Sequence, residues 1–206
     1  MKLNSISFLT SNPQKAKDFS TFGIGVQEFN KEIIEISSND VELVALHKAR
    51  DTNLNNIVVE DTSLNVSGSP YPGTDIKHVY QIIENDESYN GNSTVWEVSL
   101  CIKKDDNFYI ATGRTQGILK YPALDFGYHF NRIFAPFIDG KEPIQFELLS
   151  QEEKDLYSPR FKALRILSNA LLNNDYSQLK IISEHDVSDW DGEYQKETIQ
   201  KKKKQI

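Results

Sequence analysis

A short apolar strand pattern that passes directly into a helix-start signal is the strongest constraint on the fold. The strand pattern is Ile6-Ser7-Phe8-Leu9, and Thr10-Ser11-Asn12-Pro13 follows without a gap. Asn12 is a favoured N-cap residue and Pro13 a favoured first helical residue, so we expect a helix to start there. The chain therefore opens with a strand–turn–helix unit, and the sequence as a whole predicts an α/β fold.

Later segments continue this alternation of strands and helices. A second helix is predicted to open at Asn39 or Asp40, because apolar residues follow at helical spacing. The β-branched run Ile57-Val58-Val59 predicts a short buried strand. Alternating apolar residues over 95–103 predict a half-buried strand, with 108–112 and 116–119 as its partners.

Two further helix starts are predicted in the last third of the chain. Ser150-Gln151-Glu152-Glu153 is a capping box, in which Ser150 and Glu153 satisfy each other's backbone N–H groups. Pro159 should interrupt the helix that begins there, and Ser158 is placed to cap the next one.

Composition and charge limit the partners. The chain has 206 residues and a formal net charge of −7, which argues against general nucleic-acid binding because backbone phosphates attract a basic surface. It has one cysteine, Cys101, so no disulfide can form within the chain, which suits a reducing compartment. The first apolar run is too short for a secretory signal, and no stretch has membrane-spanning length. We therefore expect a cytoplasmic protein that binds neither nucleic acid nor membrane.

Polar residues cluster where the first strand meets its helix. Thr10, Ser11, Asn12 and Lys15 lie at a helix N-terminus, where backbone N–H groups and the positive dipole end favour anions. The cluster predicts a phosphate cradle. The alternative is an ordinary capped turn with an exposed lysine, and the local sequence alone favours that alternative.

A second polar cluster, Glu60-Asp61-Thr62-Ser63, follows the predicted buried strand. Ligands of open α/β sheets gather at the carboxyl ends of strands, and Mg²⁺ takes carboxylate oxygens together with substrate phosphates. An adjacent carboxylate can also accept a proton from an attacking water. The cluster predicts a metal and catalytic site, and the alternative is a solvated acidic turn.

Several single residues are weaker evidence for a functional site than these two clusters. Lys48, Lys77 and Lys154 fall on structured elements, but a lone lysine is more often at the surface than at a ligand. Glu35 alone is likewise more often a surface residue than a metal ligand. The four histidines show no metal-ligand spacing, and Cys101 is expected to be a buried structural thiol.

Taken in order, these segments resemble the family of inosine triphosphate pyrophosphatases from about residue 6 to residue 172. One motif alone would be weak, whereas six in the right order are strong evidence for the fold. The six are Phe8-Leu9-Thr10-Ser11-Asn12-Pro13-Gln14-Lys15, Val59-Glu60-Asp61-Thr62-Ser63-Leu64, Pro72-Gly73 with Ile76-Lys77, Gly113-Arg114-Thr115-Gln116-Gly117, Asp125-Phe126-Gly127-Tyr128 with Ile133-Phe134-Ala135-Pro136, and Glu152-Glu153-Lys154 with Ser158-Pro159-Arg160-Phe161-Lys162-Ala163-Leu164.

The resemblance implies an elongated mixed β-sheet flanked by helices, with two lobes that enclose a nucleotide-binding cleft, and a homodimer. It implies hydrolysis of inosine, deoxyinosine or xanthosine triphosphate to the monophosphate and pyrophosphate, with Mg²⁺ held by Asp61 and Glu35. Catalysis would rest on Asp61, Glu60 and Lys15, with Asp61 or Glu60 assisting an attacking water. The substrate-binding residues implied are Thr10, Ser11, Asn12, Lys15, Lys48, Thr62, Ser63, Lys77, Tyr128, His129, Lys154, Ser158 and Arg160.

Two departures from the family pattern lie on the side that the resemblance assigns to the purine base. After Gly127-Tyr128 the family normally has Asp-Pro, whereas His129-Phe130-Asn131-Arg132 stands here, and Pro159 replaces the histidine of the S-H-R motif. A pocket that loses a hydrogen-bonding partner loses discrimination. Hydrolysis is the favoured interpretation. The alternative is a catalytically weak receptor that binds the triphosphate and passes the signal to a protein partner, in signalling or antiviral defence.

The motif-bearing domain is expected to span 1–172, with 173–206 as a polar, charged extension. After Leu172 the composition becomes acidic and polar, and a lysine run occupies 201–204. A flexible tail is the favoured interpretation of this segment. A partner-binding segment anchored by Trp190 is the alternative, because tryptophan is enriched at interaction hot spots.

Overall fold

Strands and α-helices alternate as far as residue 104 in the computed structural model, which describes residues 3–10, 12–27, 33–70 and 72–195. The strands are β1 (Ser7–Leu9), β2 (Gly25–Gln27), β3 (Ile57–Val66), β4 (Ser93–Lys104), β5 (Asn107–Leu119), β6 (Phe134–Pro136) and β7 (Lys180–Ser183). The α-helices are α1 (Pro13–Thr21), α2 (Val41–Thr52), α3 (Ile76–Glu84), α4 (Gln151–Tyr157) and α5 (Pro159–Asn173).

The helices begin where the capping side chains predict. The Asn12 side chain accepts hydrogen bonds from the backbone N–H groups of residues 14 and 15, and Asp40 does the same for residues 42 and 43. Ser150 and Glu153 form the predicted capping box at the start of α4. Ser158 ends α4 and caps α5, whose first residue is Pro159. All four predicted helix starts are confirmed.

One mixed sheet holds the fold together, with the strand order β2-β1-β3-β4-β5-β6 and β7 also paired with β5. β1 pairs in parallel with β2 and β3, and the remaining pairs are antiparallel. Helices cover both faces of the sheet. The predicted α/β class, a mixed sheet flanked by helices, is confirmed.

Three strands differ from the sequence-based expectation. β3 does not end at Val59 but continues to Val66, because it changes from parallel pairing with β1 to antiparallel pairing with β4. β4 is buried on both faces rather than half-buried, because α5 and α2 cover its opposite sides. The two predicted partners of β4 are a single strand, β5, which runs alongside the whole of it.

The core has one apolar cluster on each side of the sheet. The larger cluster packs Leu164 and Leu167 of α5 against Leu100 and Ile102 of β4. The smaller cluster packs α2 against the other face, and Cys101 is fully buried in it as the expected structural thiol. In the described ranges, no helix is both long and apolar enough to cross a membrane.

The segment after α5 is packed against the sheet as far as residue 195, which corrects the expectation of a flexible tail for that stretch. β7 pairs in antiparallel fashion with the first residues of β5, at an edge that β6 leaves open. Leu179 is buried beside the larger cluster. Hydrophobic residues at 179, 181 and 182 give this otherwise acidic segment enough apolar character to join the sheet. The lysine run at 201–204 lies outside the described residues.

Gly113 allows α5 to lie directly on β5. A Cβ atom at this position would stand 2.0 Å from the Pro159 carbonyl oxygen and 2.8 Å from the Ala163 backbone nitrogen. No side chain fits at such distances without displacement of the first turn of the helix.

We therefore expect Gly113→Ala to lower the free energy of unfolding by about 1–3 kcal/mol, as overpacking of a close contact does. Urea denaturation measures the change. Gly25→Ala in β2 is the matched control, because its nearest contact is 3.4 Å away and its backbone suits alanine. An effect of equal size in both variants would contradict the proposed packing constraint.

Candidate functional site

The two predicted polar clusters meet in one cleft beside β1 and β3. Parallel pairing of these strands ends at Phe8 and Val58, whereas β3 continues past that point. Glu60 and Asp61 therefore lie mid-strand, beyond the carboxyl end of β1, rather than at the end of their own strand. They line a cleft of about 1570 Å³. The cleft lies where open α/β sheets bind ligands, at the carboxyl edge of a parallel strand.

Glu60 is 5% exposed and fully paired. Its carboxylate accepts hydrogen bonds from Arg160 Nε at 2.8 Å and Nη2 at 3.1 Å, and Lys15 Nζ lies 2.8 Å from Oε1. Burial alone would raise the pKa of Glu60, but the charges of Arg160 and Lys15 hold it at about 2. Such a carboxylate is a poor proton acceptor near neutral pH. Glu60 is a counter-ion that positions Lys15 and Arg160, and this pairing does not support its predicted catalytic role.

Arg160 is held by carboxylates at every guanidinium nitrogen. Nε and Nη2 donate to Glu60, and Nη1 donates to Asp18 Oδ2 at 2.8 Å. These contacts tie α5 to both β3 and α1. Arg160 lines the cleft, as its predicted role in substrate binding requires. Three of its five N–H donors pair with Glu60 and Asp18, so in this arrangement it also positions these two carboxylates.

Asp61 projects from the opposite face of β3, towards α2. Lys48 Nζ lies 3.0 Å from Asp61 Oδ1 and 3.0 Å from Glu35 Oε1. The second oxygen, Asp61 Oδ2, is buried and has no hydrogen-bond partner. Burial raises the pKa of Asp61 to about 6, although the charge of Lys48 acts in the opposite direction. Asp61 can therefore exchange a proton near neutral pH, whereas Glu60 cannot.

Asp61 and Glu35 could hold a divalent cation only together with other ligands, since Lys48 Nζ lies 3.0 Å from an oxygen of each. Within the described part of the chain, no group of three or more His, Cys, Asp or Glu side chains could bind a metal alone. Mg²⁺, however, is commonly bound by one or two carboxylates together with substrate phosphates. The unpartnered Asp61 Oδ2 is an available ligand of this kind, and Glu35 lies on the other side of Lys48.

The turn before α1 contributes less than the sequence predicts. The Asn12 side-chain oxygen already accepts from the backbone N–H groups of residues 14 and 15, while its amide nitrogen donates to Tyr128 Oη at 3.0 Å. Thr10 Oγ1 accepts from the Asn12 backbone N–H at 3.0 Å. Since Pro13 has no N–H, the cap leaves few backbone donors for an anion, and Lys15 is the main contribution of this turn. Ser11 lies outside the described residues.

The far wall of the cleft is built around Glu147. Its Oε1 accepts from the Tyr128 backbone N–H at 3.0 Å, and its Oε2 lies 3.1 Å from Lys154 Nζ. His129 adopts a left-handed backbone conformation with φ of 46°, and its ring packs edge-on against Tyr128 and Tyr80. Tyr128, His129 and Lys154 therefore line the cleft together, as predicted.

Of four other residues that were predicted to bind substrate, three line the cleft and one does not. Thr62 and Lys77 line the cleft, and Thr62 Oγ1 donates to Glu60 Oε1 at 3.3 Å. Ser158 lines it too, but its hydroxyl caps α5. Ser63 is not among the lining residues, because it lies two residues further along β3 than Asp61 and its hydroxyl contacts Glu97 instead.

Pro159 also lies off the cleft, since it is buried as the first residue of α5 against β5. It is therefore not placed to contact a purine base, which corrects the base-side interpretation of this position. Of the two departures from the family motifs, only the segment 129–132 reaches the cleft, through His129, Phe130 and Asn131.

Sequence reasoning missed Asp18 and Glu147, the acidic partners of Arg160 and Lys154. Asp18 is three residues after Lys15 on a predicted helix, so helical spacing could have placed both on one face. It also missed Tyr194 and Gln195, which line the cleft although they come from the extension. No local pattern distinguishes these two residues.

The fold and the cleft define an α/β protein whose cleft contains paired lysines and carboxylates, and comparison with known proteins identifies its family. A family model described as the Ham1 family matches residues 6–170. A dITP/XTP pyrophosphatase of Ignicoccus hospitalis is 30% identical over 190 residues, covering 83% of this chain and 98% of that protein. The chain belongs to the Ham1 family, and the resemblance to inosine triphosphate pyrophosphatases is confirmed.

Solved structures agree on the fold. The Ham1 protein of Staphylococcus aureus has a TM-score of 0.61 at 17% identity, covering 82% of this chain and 99% of that one. A HAM1 protein of Coxiella burnetii has a TM-score of 0.56 at 17% identity, with the same coverage of both chains. About four fifths of this chain thus accounts for almost the whole of each relative, and the segment after residue 170 lies outside the family match.

Removal of Arg160 tests whether it has a structural role or binds a ligand. Arg160→Met leaves the buried Glu60 without its bidentate partner, so we expect the free energy of unfolding to fall by about 3–5 kcal/mol. Arg165→Met on the same helix is the control, because Arg165 has a hydrogen bond to a backbone carbonyl at 2.8 Å and no buried carboxylate partner. Denaturant unfolding measures both. Unchanged stability of Arg160→Met would contradict the counter-ion role.

The pKa of Asp61 predicts a pH-dependent stability difference. Its pKa is about 6 in the folded protein against an ordinary value of 3.8, so the folded state retains a proton that the unfolded chain releases between these values. The parent should therefore lose stability relative to Asp61→Asn as pH rises from 4 to 7, by on the order of 3 kcal/mol. Urea unfolding of both proteins across this range measures the difference. Because both proteins contain Glu60, its contribution to the pH dependence of stability cancels in that difference. Parallel curves would show that Asp61 is not perturbed.

Proposed function

We propose that this protein hydrolyses inosine, deoxyinosine or xanthosine triphosphate to the monophosphate and pyrophosphate in the cleft beside β3. The observation that carries the proposal is Asp61, a buried carboxylate with an unpartnered Oδ2 and a pKa raised to about 6. Membership of the Ham1 family supports the reaction class, and the Ignicoccus relative, named as a dITP/XTP pyrophosphatase, supports the substrate class.

The electrostatics of the cleft assign distinct tasks to its side chains. Asp61 is the carboxylate suited to assist a water and accept its proton, because the group titrates near neutral pH, and its unpartnered Oδ2 is the oxygen available to a cation. Lys15 and Lys48 offset the charge of the phosphates on one side, and Lys154 does so on the other. Each lysine is already held by a carboxylate, so its position is fixed before the ligand arrives.

The charge of the lining favours a divalent cation with the substrate. The described lining residues include six carboxylates, Asp18, Glu35, Glu60, Asp61, Glu147 and Asp155, against five cationic side chains, Lys15, Lys48, Lys77, Lys154 and Arg160. A triphosphate adds several more negative charges, which these cations alone do not balance. We therefore infer that Mg²⁺ accompanies the triphosphate and that Asp61 and Glu35 hold it. When bound, Mg²⁺ polarises the phosphates and neutralises developing charge.

The alternative, a receptor that binds the triphosphate without cleaving it, has weaker support than hydrolysis. The departure at Pro159 lies off the cleft, and the carboxylate needed for water activation is present at Asp61. The homodimer, a protein partner and the cytoplasmic location remain predictions.

The test is pyrophosphate release from a panel of purine triphosphates, with and without Mg²⁺. We expect turnover of inosine, deoxyinosine or xanthosine triphosphate above that of ATP and GTP. Asp61→Asn should lower turnover by at least about 100-fold, the usual contribution of a general base. Asp106→Asn is the matched control, because it makes the same exchange in the exposed turn between β4 and β5.

Each outcome of this test is informative. Binding without turnover in the parent would favour the receptor alternative. Turnover by Asp61→Asn within a few-fold of the parent would remove Asp61 from its proposed role. Equal turnover with and without a metal chelator would show that the reaction needs no divalent cation.

A further inference from the structure

The described part of the extension returns to the cleft after it leaves the sheet. β7 ends at Ser183, and the chain then passes along α2, where Asp189 Oδ1 lies 3.0 Å from Arg50 Nη2. The Trp190 ring packs edge-on against His47 with ring centroids 5.7 Å apart. These contacts guide the segment from the edge of the sheet towards the residues that precede α2.

Backbone hydrogen bonds then join the extension to the segment that carries Glu35. The Ser37 N–H donates to the Glu193 carbonyl at 2.8 Å, and the Gln195 N–H donates to the Glu35 carbonyl at 2.9 Å. Ile36 and Tyr194 form the antiparallel bridge between these two bonds. Residues 193–195 therefore hold Glu35 in place by main-chain contacts on both sides of Ile36.

Gln195 brings an unused donor into the cleft. It is 3% exposed, lines the cleft, and its side-chain Nε2 is buried without a hydrogen-bond partner. A side-chain amide nitrogen carries two N–H donors, and a buried donor left unsatisfied is unfavourable. A ligand with acceptor oxygens that is bound next to Glu35 would satisfy this group.

We propose that the extension completes the nucleotide site, and that Gln195 Nε2 donates a hydrogen bond to an oxygen of the bound triphosphate. The proposal rests on the proposed function, since the ligand is the same triphosphate. It adds a binding residue from a segment that lies beyond the part of the chain matched by the family. The extension is then part of the site rather than a separate docking segment.

The test measures binding of a non-hydrolysable deoxyinosine triphosphate analogue to full-length variants, together with their thermal stability without ligand. Gln195→Leu removes the donors at similar size, and Gln195→Glu replaces them with a negative charge. Both should weaken binding by about ten-fold or more, as loss of a hydrogen bond to a charged group does. In hydrolysis, KM should rise while kcat stays within a few-fold. Gln178→Glu is the charge-matched control, because Gln178 is exposed in the same extension, outside the cleft.

Thermal stability separates ligand binding from a structural role. Because Nε2 has no partner in the free protein, Gln195→Leu should keep or raise the Tm without ligand. A lower Tm with unchanged affinity in the folded protein would overturn the proposal and make Gln195 structural.

A variant that alters no cleft residue tests the path of the extension. A Cβ atom at Gly192 would stand 2.5 Å from the Trp190 ring, so Gly192→Ala should displace the segment and also weaken binding. Tight binding by the parent and by all three variants would refute the inference but leave the proposed function intact. A parent that neither binds nor hydrolyses the triphosphates would overturn both.

Discussion

The buried ion pair between Glu60 and Arg160 connects the elements around the cleft. Glu60 projects from β3, Arg160 from α5, and the second arm of the guanidinium reaches Asp18 on α1. A carboxylate in this position cannot stay ionised without its partners, because burial strongly disfavours the charge. The contact of α5 with Gly113 is part of the same arrangement, since it sets the height of the first helical turn and hence of Arg160 above the sheet.

Strand alternation then gives two neighbouring carboxylates opposite properties. Glu60 points towards α5 and two cations, which hold its pKa at about 2, whereas Asp61 points towards α2, where burial raises its pKa to about 6. Lys48 stays charged, because Asp61 and Glu35 raise its pKa despite its burial. One acidic dipeptide thus supplies a permanent counter-ion and a group that exchanges protons, and the difference arises from the period of two in a β-strand.

Sequence reasoning succeeded where the determinants are local. The caps at Asn12, Ser150 and Ser158 involve groups within three residues, so composition and spacing suffice to place the helix starts. It failed where partners lie far apart in the chain. The pairing of Arg160 with Glu60 was not predicted, because the two residues are 100 positions apart, and the length of β3 depended on its pairing with β4. The extension was expected to be flexible because its composition is mostly polar. Its short strand, β7, forms by pairing with the open edge of β5, which the local sequence does not reveal.

The position of Glu35 depends on parts of the molecule with unequal stability. Its carboxylate is fixed by Lys48 from α2, which is packed into the core, but its backbone is held by residues 193–195. No residue of β7 is fully buried, and segments with few buried apolar groups open at lower free energy than a core. Opening of this segment would free the main chain at Glu35 and Ser37 and remove Gln195, while the Glu60–Arg160 pair and Asp61 stayed in place. The cleft therefore combines residues on β3 and α5 that a buried ion pair holds together with a segment at Glu35 whose main chain is held by the extension.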